Sequence, residues 1–183
     1  MFVVAGLGNP GSKFANSRHN VGFMLADILF EKLSFKRWSR GFDAHFVENK
    51  DYIIVKPKTY MNLSGKSLLA LKKEFDLETE SFIIIYDDIT LPLGYLRIRK
   101  GGQSGGHNGV KSAIECLGND FIRVRIGVGG PKGDLKDYVL EDFSISEKKI
   151  IEKVILRSVD GIIELIKENK LEKVMNDYNG MVQ

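Results

Sequence analysis

Apolar and polar positions along the chain predict strands and helices that follow one another in alternation. Phe2–Leu7 and Phe82–Tyr86 are short, unbroken apolar runs. Such runs are typical of strands that are covered on both faces. Asn20–Leu33 and Ser64–Phe75 instead carry apolar residues at helical spacing along one face, and Ser64 is placed to cap the second of these helices.

The remaining segments complete an α/β pattern with an inserted hairpin. Leu96–Arg99 and Ile122–Val128 alternate apolar and basic residues, as half-exposed strands do. Glycine and capping signals mark the helix ends. The other predicted elements are a hairpin of Ala44–Glu48 and Tyr52–Lys56, a helix His107–Leu117 with Gly118 as its left-handed cap, a helix that begins with a Ser144/Glu147 capping box and runs to about Lys170, and a last helix Leu171–Tyr178.

This order of elements predicts a single α/β domain over residues 1–183. We expect a three-layer sandwich whose mixed, mostly parallel central sheet is flanked by helices. In such sheets, functional sites gather in loops beyond the carboxyl ends of the strands. Three unusually polar loops fit that position, namely Gly8–Asn20, Lys58–Asn62 and Asp87–Asn108.

Composition narrows the functional classes only slightly. The 183 residues are 43% hydrophobic and 28% charged, which is typical of a globular protein. A single cysteine excludes an intrachain disulfide and favours a reducing compartment. No signal peptide and no membrane-length apolar stretch are evident, so we expect a cytoplasmic protein. A net charge of +3 permits an acidic partner without requiring one.

Two glycine motifs resemble nucleotide-binding loops but fail on context. Gly6–Gly11 satisfies G-x-G-x-x-G after a strand, yet the acidic residue at the required distance, Glu31, lies inside a predicted helix. Gly65-Lys66-Ser67 resembles the end of a P-loop, but Tyr60 occupies the position of its first glycine. We therefore interpret Gly6–Gly11 as a tight turn that directs Asn9 into a cleft.

Gly102–Gly106 matches the G-x-S-x-G nucleophile elbow, with Ser104 as the candidate nucleophile. That elbow requires a downstream histidine, and the only one is His107 on the same loop. His107 is too close in sequence to reach around and activate the serine. The glycine-rich segment 101–109 is better interpreted as a mobile lid or as a loop that closely contacts a ligand.

His19 and Asp87 form the more plausible catalytic pair. A helix amino terminus favours the neutral form of His19, which keeps it available as a base. An acid at the end of a central strand, such as Asp87, is well placed to orient a histidine. His45 is interpreted as a packing or surface residue. A metal bound by His19, Asp87 and His107 is conceivable, but no metal-binding motif is present, so we predict none.

Basic residues alternate along two predicted strands and would form a patch on one face of the sheet. Such a patch suits phosphate, although a solvated sheet face explains the pattern equally well. The residues are Arg97, Arg99, Lys100, Arg123 and Arg125.

Taken together, these residues resemble bacterial peptidyl-tRNA hydrolases. The resemblance runs from Val3–Gly11 to Asn176–Asn179, and it is specific because four separated blocks occur in the right order. These blocks are Arg18–Gly22, Lys56–Gly65, Tyr86–Asp88 and Gly105–Gly109.

The resemblance implies hydrolysis of the ester bond in peptidyl-tRNA by a monomeric enzyme without a cofactor, metal, membrane or obligate protein partner. Released peptide and tRNA would be recycled in translation. The substrate would be held at its acceptor end and its 5′-phosphate. By this resemblance, His19 is the base, Asp87 supports it, Asn9 distinguishes blocked from free aminoacyl groups, Asn62 and Asn108 bind peptide and position water, Tyr60 and Met61 contact the substrate end, and Arg99 and Arg125 grip the 5′-phosphate.

The sequence departs from the family pattern at three places. Phe14 stands where many relatives have a tyrosine that could touch substrate, Thr90 occupies an often acidic position, and Gly130 replaces a commonly basic or imidazole side chain. These departures concern substrate contacts and leave His19 and Asp87 intact. Two alternatives remain, a non-catalytic RNA-binding module and a serine esterase that uses Ser104.

Overall fold

The structure, a computed structural model, describes residues 1–131 and 133–182. Its eight strands form one sheet. The strands are β1 (Phe2–Gly6), β2 (Ser39–Gly41), β3 (Ala44–Glu48), β4 (Tyr52–Pro57), β5 (Phe82–Asp88), β6 (Tyr95–Lys100), β7 (Ile122–Gly127) and β8 (Gly180–Met181). The helices are α1 (Val21–Lys32), α2 (Ser64–Glu74), α3 (Asn108–Leu117), α4 (Leu135–Leu140), α5 (Ile145–Glu168) and α6 (Leu171–Tyr178).

The sheet is mixed, with a parallel centre and antiparallel flanks. The strand order is β2-β3-β4-β1-β5-β7-β6-β8. The four central strands, β4, β1, β5 and β7, run parallel to one another. The β2-β3-β4 hairpins on one side, and β6 and β8 on the other, pair antiparallel. The predicted mixed α/β sheet is confirmed, and its parallel part is the centre.

Helices cover both faces of this sheet. One core contains Val4 and Ile85 of the sheet together with residues of α1, α5 and α6. The other core contains the alternate positions Val3 and Ile84 together with residues of α2 and α3. All seven residues of β5 are buried, as expected for a central strand covered on both sides. None of the helices within the described residues is long and apolar enough to span a membrane.

Most predicted elements agree with the structure, including the Ser144/Glu147 capping box of α5. The proposed cap of α2 is wrong, because the Ser64 hydroxyl lies within the helix and donates to the carbonyl of Met61 at 2.9 Å. Gly118 does take a positive φ of 86°, but its ψ of −169° is not that of a left-handed cap. Three short elements, β2, α4 and β8, were not predicted at all.

Close packing of α1 on the sheet fixes where the first polar loop begins and ends. A Cβ on Gly6 would overlap the carbonyl of Gly22, and a Cβ on Gly22 would meet the backbone of Leu7 and Ile85. The two glycines therefore allow the start of α1 to lie directly against β1 and β5. This contact, rather than nucleotide binding, explains the first glycine of the Gly6–Gly11 motif.

Arg18 attaches the short helix α4 to the body of the protein. None of the α4 residues is buried, so its own packing holds it weakly. The Arg18 guanidinium lies 4.2 Å from the ring centroid of Tyr138 in α4 and donates to the carbonyl of Glu141 at 3.2 Å. It also donates to both carboxylate oxygens of Glu147, at 3.0 and 3.1 Å. The residue before His19 thus holds α4 beside it.

Candidate active site

A cavity of about 840 Å³ opens at the carboxyl ends of the parallel strands. All three loops that the sequence singled out contribute to its lining, and α4 adds an apolar wall with Leu135, Val139 and Leu140. The position agrees with the rule that α/β sheets bind ligands beyond their strand ends. The cavity is therefore the candidate site, and its chemistry depends on the side chains along its floor.

Asp87 joins two histidines on that floor. Its Oδ1 atom lies 2.8 Å from Nδ1 of His19 and 3.0 Å from Nε2 of His107. The three side chains are nearly enclosed, with exposed fractions of 1% for Asp87, 11% for His19 and 8% for His107. The structure thus confirms the proximity of His19 and Asp87 and adds His107 as a second partner.

The hydrogen bonds define which nitrogen of each ring carries a proton. Nδ1 of His107 accepts from the backbone N–H of Val110 at 3.2 Å, so in the neutral ring the proton resides on Nε2 and is donated to Asp87. His19 must likewise donate from Nδ1, because an ionised carboxylate only accepts. Nε2 of His19 then carries a lone pair, and no described residue hydrogen-bonds to it. This lone pair is the basic atom that the site offers to a ligand.

Asp87 is held in its ionised form despite its burial. Burial alone would raise the pKa of this carboxyl group. The charge and hydrogen bond of His107, and then the hydrogen bond and charge of His19, outweigh that effect and hold the pKa well below its ordinary value. A carboxylate that stays ionised can accept from both imidazoles at once, which keeps both rings in fixed orientations.

Asn9 is locked so that only its amide nitrogen is free. The backbone N–H of Met61 donates to Oδ1 of Asn9 at 2.9 Å. The side chain of Asn20 meanwhile accepts from the backbone N–H of Asn9 at 2.8 Å and donates to its carbonyl at 3.0 Å. Nδ2 of Asn9 has no partner among the described residues and lies at the cavity. It is an amide donor oriented toward whatever the cavity binds.

Four of the five basic residues predicted for one face of the β6–β7 pair lie on it. Lys100 does not, because it directly follows Arg99 along the strand and is paired with Ile122. Arg97 lies opposite Arg125, and Arg99 lies opposite Arg123. Their neighbours Ile98 and Val124 point the other way, into the core. Two of the four differ from the expected exposed patch. Arg123 is only 1% exposed, and Arg125 is tied to a carboxylate.

That carboxylate belongs to Asp88. Nε of Arg125 donates to Oδ2 of Asp88 at 2.5 Å. The other oxygen of Asp88 accepts from the backbone N–H and the hydroxyl of Thr90, at 2.8 and 2.6 Å. Asp88 therefore orders the turn after β5 and orients the side chain of Arg125, which lines the cavity. Thr90, one of the three departures from the family pattern, takes part in this arrangement.

Most of the other predicted site residues also line the cavity. They are Tyr60, Met61, Asn62, Arg99 and Asn108. Phe14 is half-buried in a 3₁₀ turn outside the cavity lining, with the Lys13 ammonium 4.7 Å from its ring centroid. Its predicted contact with substrate therefore stays a prediction.

The nucleophile-elbow interpretation of Ser104 finds no base in this geometry. Ser104 does line the cavity. Both ring nitrogens of His107 are engaged, however, one with Asp87 and the other with Val110. His107 thus has no lone pair left to accept the proton of a serine hydroxyl.

Comparisons with known proteins identify the family. A family model described as peptidyl-tRNA hydrolase matches residues 3–183. The peptidyl-tRNA hydrolase of Clostridium perfringens is 45% identical, with 99% of this chain and 98% of that protein aligned. The one from Thermodesulfovibrio yellowstonii is 46% identical over 98% of this chain and 99% of its own length. The chain belongs to the peptidyl-tRNA hydrolase family.

Solved structures agree with that assignment. The crystal structure of peptidyl-tRNA hydrolase from Acinetobacter baumannii superposes with a TM-score of 0.92 at 28% identity. It covers all of this chain, and 96% of that chain is matched. The mixed α/β sheet described above is therefore shared with a peptidyl-tRNA hydrolase over the whole length.

Sequence reasoning missed two residues of this peptidyl-tRNA hydrolase fold that complete the site. His107 was treated as a rival motif member or a metal ligand, and Asn20 was given no role. The signal for Asn20 was weak because an asparagine at a helix start usually caps it, whereas here the side chain holds Asn9 instead. Asn9 and Asn20 lie at the two ends of the same loop between β1 and α1, and the bonds between them form only when that loop is folded.

The side chains of His19, Asp87 and His107 are the one group within residues 1–131 and 133–182 whose atoms could surround a metal ion. Their candidate ligand atoms on His19, Asp87 and His107 lie within 4.8 Å of one another. A metal on Nε2 of His107 would place the ring proton on Nδ1, opposite the N–H of Val110 that now donates there. The donor set therefore fits a proton network better than a metal.

We expect Asn20→Ala to lower both stability and activity. It leaves a buried N–H and carbonyl of Asn9 without partners, which costs about 2 kcal/mol or more. It also frees Asn9 to move, and displacement of a positioning group costs about 10-fold or more in kcat/KM. Thermal unfolding and initial rates on peptidyl-tRNA measure the two effects.

Asn179→Ala is the matched control for this prediction. The Asn179 side chain makes the same pair of bonds to the backbone of Ile98, outside the cavity. Its loss should reduce stability and leave the rate per folded molecule unchanged. Equal rates in the two variants would contradict a positioning role for Asn20.

Proposed function

We propose that the protein hydrolyses the ester bond between a peptide and its tRNA, using His19 as a general base on water. Family membership supports the substrate. The observation that carries the mechanism is the unpartnered Nε2 of His19 at the cavity, fixed by the bond from Nδ1 to Asp87. The same observation argues against a non-catalytic RNA-binding module, which has no use for an oriented base.

The reaction follows from this arrangement. Nε2 of His19 accepts a proton from a water molecule while the oxygen of that water attacks the carbonyl carbon of the ester. The imidazolium that forms is stabilised by the ionised Asp87. Collapse of the tetrahedral intermediate breaks the bond to the ribose oxygen, which takes the proton from His19. The products are a peptide carboxylic acid and tRNA with a free hydroxyl, and a positioned base of this kind contributes about 10²–10⁴ in rate.

Amide donors and a helix terminus surround the reacting centre. Asn62 and Asn108 line the cavity with exposed side chains, and either can donate to the developing oxyanion. Loss of such a donor typically costs about 3 kcal/mol. Asn108 is also the first residue of α3, where the positive end of the helix dipole favours negative charge.

Asn9 supplies a basis for selecting blocked amino groups. Its free Nδ2 atom is a neutral donor suited to a peptide carbonyl. A free α-amino group is cationic at lower pH and would lose hydration beside Nδ2 of Asn9, which is a donor and can accept no hydrogen bond from it. We propose that Asn9 in this way favours peptidyl-tRNA over aminoacyl-tRNA.

Arg99 and Arg125 are proposed to bind the 5′-phosphate of the tRNA. Both line the cavity, and both are half-buried. Arg99 has no carboxylate partner among the described residues, whereas Arg125 is oriented by Asp88. Two guanidinium groups at one rim suit a phosphate, which they can contact in a bidentate manner.

All groups in this proposal come from one chain. We therefore propose that residues 1–183 act as a single-domain monomer without a protein partner. Peptidyl-tRNA arises from translation, which places the proposed activity in the cytoplasm.

The central test compares N-blocked aminoacyl-tRNA with the unblocked form in the presence of EDTA. We expect release of the blocked amino acid only, and a loss of about 100-fold or more in His19→Ala because the base is gone. Single-turnover release of labelled amino acid measures both rates. A folded His19→Ala protein with near-normal release would overturn the mechanism.

Ser104→Ala is the matched variant for the serine-esterase alternative. It removes the hydroxyl of a residue in the same cavity and should retain activity, because no covalent intermediate is required. An inactive but folded Ser104→Ala enzyme would favour the elbow interpretation, and a loss of activity in EDTA would point to a metal.

Removal of a phosphate-binding arginine should weaken binding and not chemistry. We expect Arg99→Met to raise KM for tRNA substrates, to leave kcat close to its original value, and to reduce the slope of log KM against log salt by about 1. A salt titration of the kinetics measures this. Arg157→Met is the control, since Arg157 donates only to carbonyls at the end of α6. An unchanged KM in Arg99→Met would place the phosphate elsewhere.

A further inference from the structure

Arg123 is a buried cation that the proposed reaction leaves without a role. It is 1% exposed and has no carboxylate within ion-pair distance among residues 1–131 and 133–182. The other buried arginine, Arg18, has the carboxylate of Glu147. A buried charge without a counter-charge is expensive, so its burial depends on the hydrogen bonds that it makes.

The Arg123 guanidinium is bound by three neutral oxygens. It donates to the carbonyl of Gln103 at 2.8 Å, to the carbonyl of Gly102, and to Oδ1 of Asn119 at 2.6 Å. Its Cζ atom lies over the ring of Phe121, 4.6 Å from the centroid. Two of the three acceptors belong to the glycine-rich segment that forms one wall of the cavity.

That segment, residues 101–107, has little of its own to hold it. Gly101, Gly102, Gly105 and Gly106 all have positive φ, from 60° to 117°. Glycines give the chain such conformations at a large entropic cost of ordering. Within the described residues, Arg123 is the only side chain that hydrogen-bonds to residues 101–106.

The far end of the segment carries His107. The N–H of His107 donates to the carbonyl of Ser104 at 3.1 Å, and its ring then reaches Asp87. The segment is thus held at Gly101 by a backbone bond to Phe121, at Gly102 and Gln103 by Arg123, and at His107 by Asp87 and the first turn of α3. We expect a shift at Arg123 to displace the His107 side chain.

We propose that Arg123 is a positioning residue for the hydrolytic reaction. It holds the loop 101–107 so that His107 stays hydrogen-bonded to Asp87. Arg123 borders the cavity with almost no exposed surface, and in this role it makes no contact with the reacting atoms. It acts through the carbonyls of Gly102 and Gln103, and through them on the ring that shares Asp87 with His19. The inference rests on the proposed mechanism only where it assigns catalysis to His19.

The first test replaces the guanidinium by a neutral side chain of similar length. In Arg123→Met, amides of residues 101–107 should exchange with solvent about 10-fold faster or more, because three hydrogen bonds are lost. Measured on peptidyl-tRNA, kcat should fall about 10- to 100-fold, the range expected when a catalytic group is displaced. Arg123→Lys, which can still donate to one carbonyl, should recover part of both effects.

Arg157→Met is the control for a general loss of stability. Arg157 also donates to two backbone carbonyls, but far from the cavity. It should lower the melting temperature and leave kcat and the exchange of residues 101–107 unchanged. If Arg123→Met behaves like this control, Arg123 is only structural and the proposal is wrong.

A double-mutant cycle separates this proposal from the proposed function. If Arg123 acts through His107, Arg123→Met should cost little further kcat in a His107→Ala background, whereas additive losses would overturn the proposal. A failure of His19 as base would appear instead in His19→Ala alone. Should Arg123→Met not fold, Asn119→Ala removes one acceptor from an exposed side chain. Unchanged exchange of residues 101–107 in that variant would also contradict the proposal.

Discussion

One carboxylate oxygen, Oδ1 of Asp87, accepts hydrogen bonds from two imidazoles, and the rest of the site depends on that shared contact. A buried carboxylate is costly unless it is paired, and the two donors supply the pairing. In return, the carboxylate fixes the orientation of both rings. It leaves Nε2 of His19 as the one unpartnered nitrogen of the pair, so a structural requirement of burial also produces a base.

The two sides of this contact differ in how firmly the fold holds them. The position of His19 is set by the close packing of Gly6 against Gly22, because this contact fixes the start of α1 on the parallel strands. His107 instead lies at the end of a glycine-rich loop. The helix α4, which forms another wall of the cavity, has no buried residue. Buried arginines hold both weaker elements, Arg18 for α4 and Arg123 for the loop. The base therefore lies on the close-packed side of the contact, whereas the loop and α4 depend on these two arginines.

The sequence predicted the central strands and most helices because apolar periodicity reports burial directly. It also placed His19 and Asp87 together, since both lie at strand or helix ends on the same edge. It did not predict that Arg123 of β7 would be buried beneath a loop, because alternation along a strand suggests exposure and not the presence of a covering segment. The bonds of Asn20 to Asn9 depend on how the loop between β1 and α1 folds back on itself, and the second partner of Asp87 lies on the loop before α3. Neither contact follows from the pattern of apolar residues.

The most direct test of the shared carboxylate is the protonation state of the histidine rings. Long-range nitrogen–proton NMR on ¹⁵N-histidine-labelled protein at about pH 8, above the ordinary histidine pKa, distinguishes the two neutral tautomers. We predict that His19 carries its proton on Nδ1 and that His107 carries it on Nε2, and that Asp87→Asn disturbs both. A proton on Nε2 of His19 in the unmodified protein would contradict it, because that nitrogen could not then accept a proton from water.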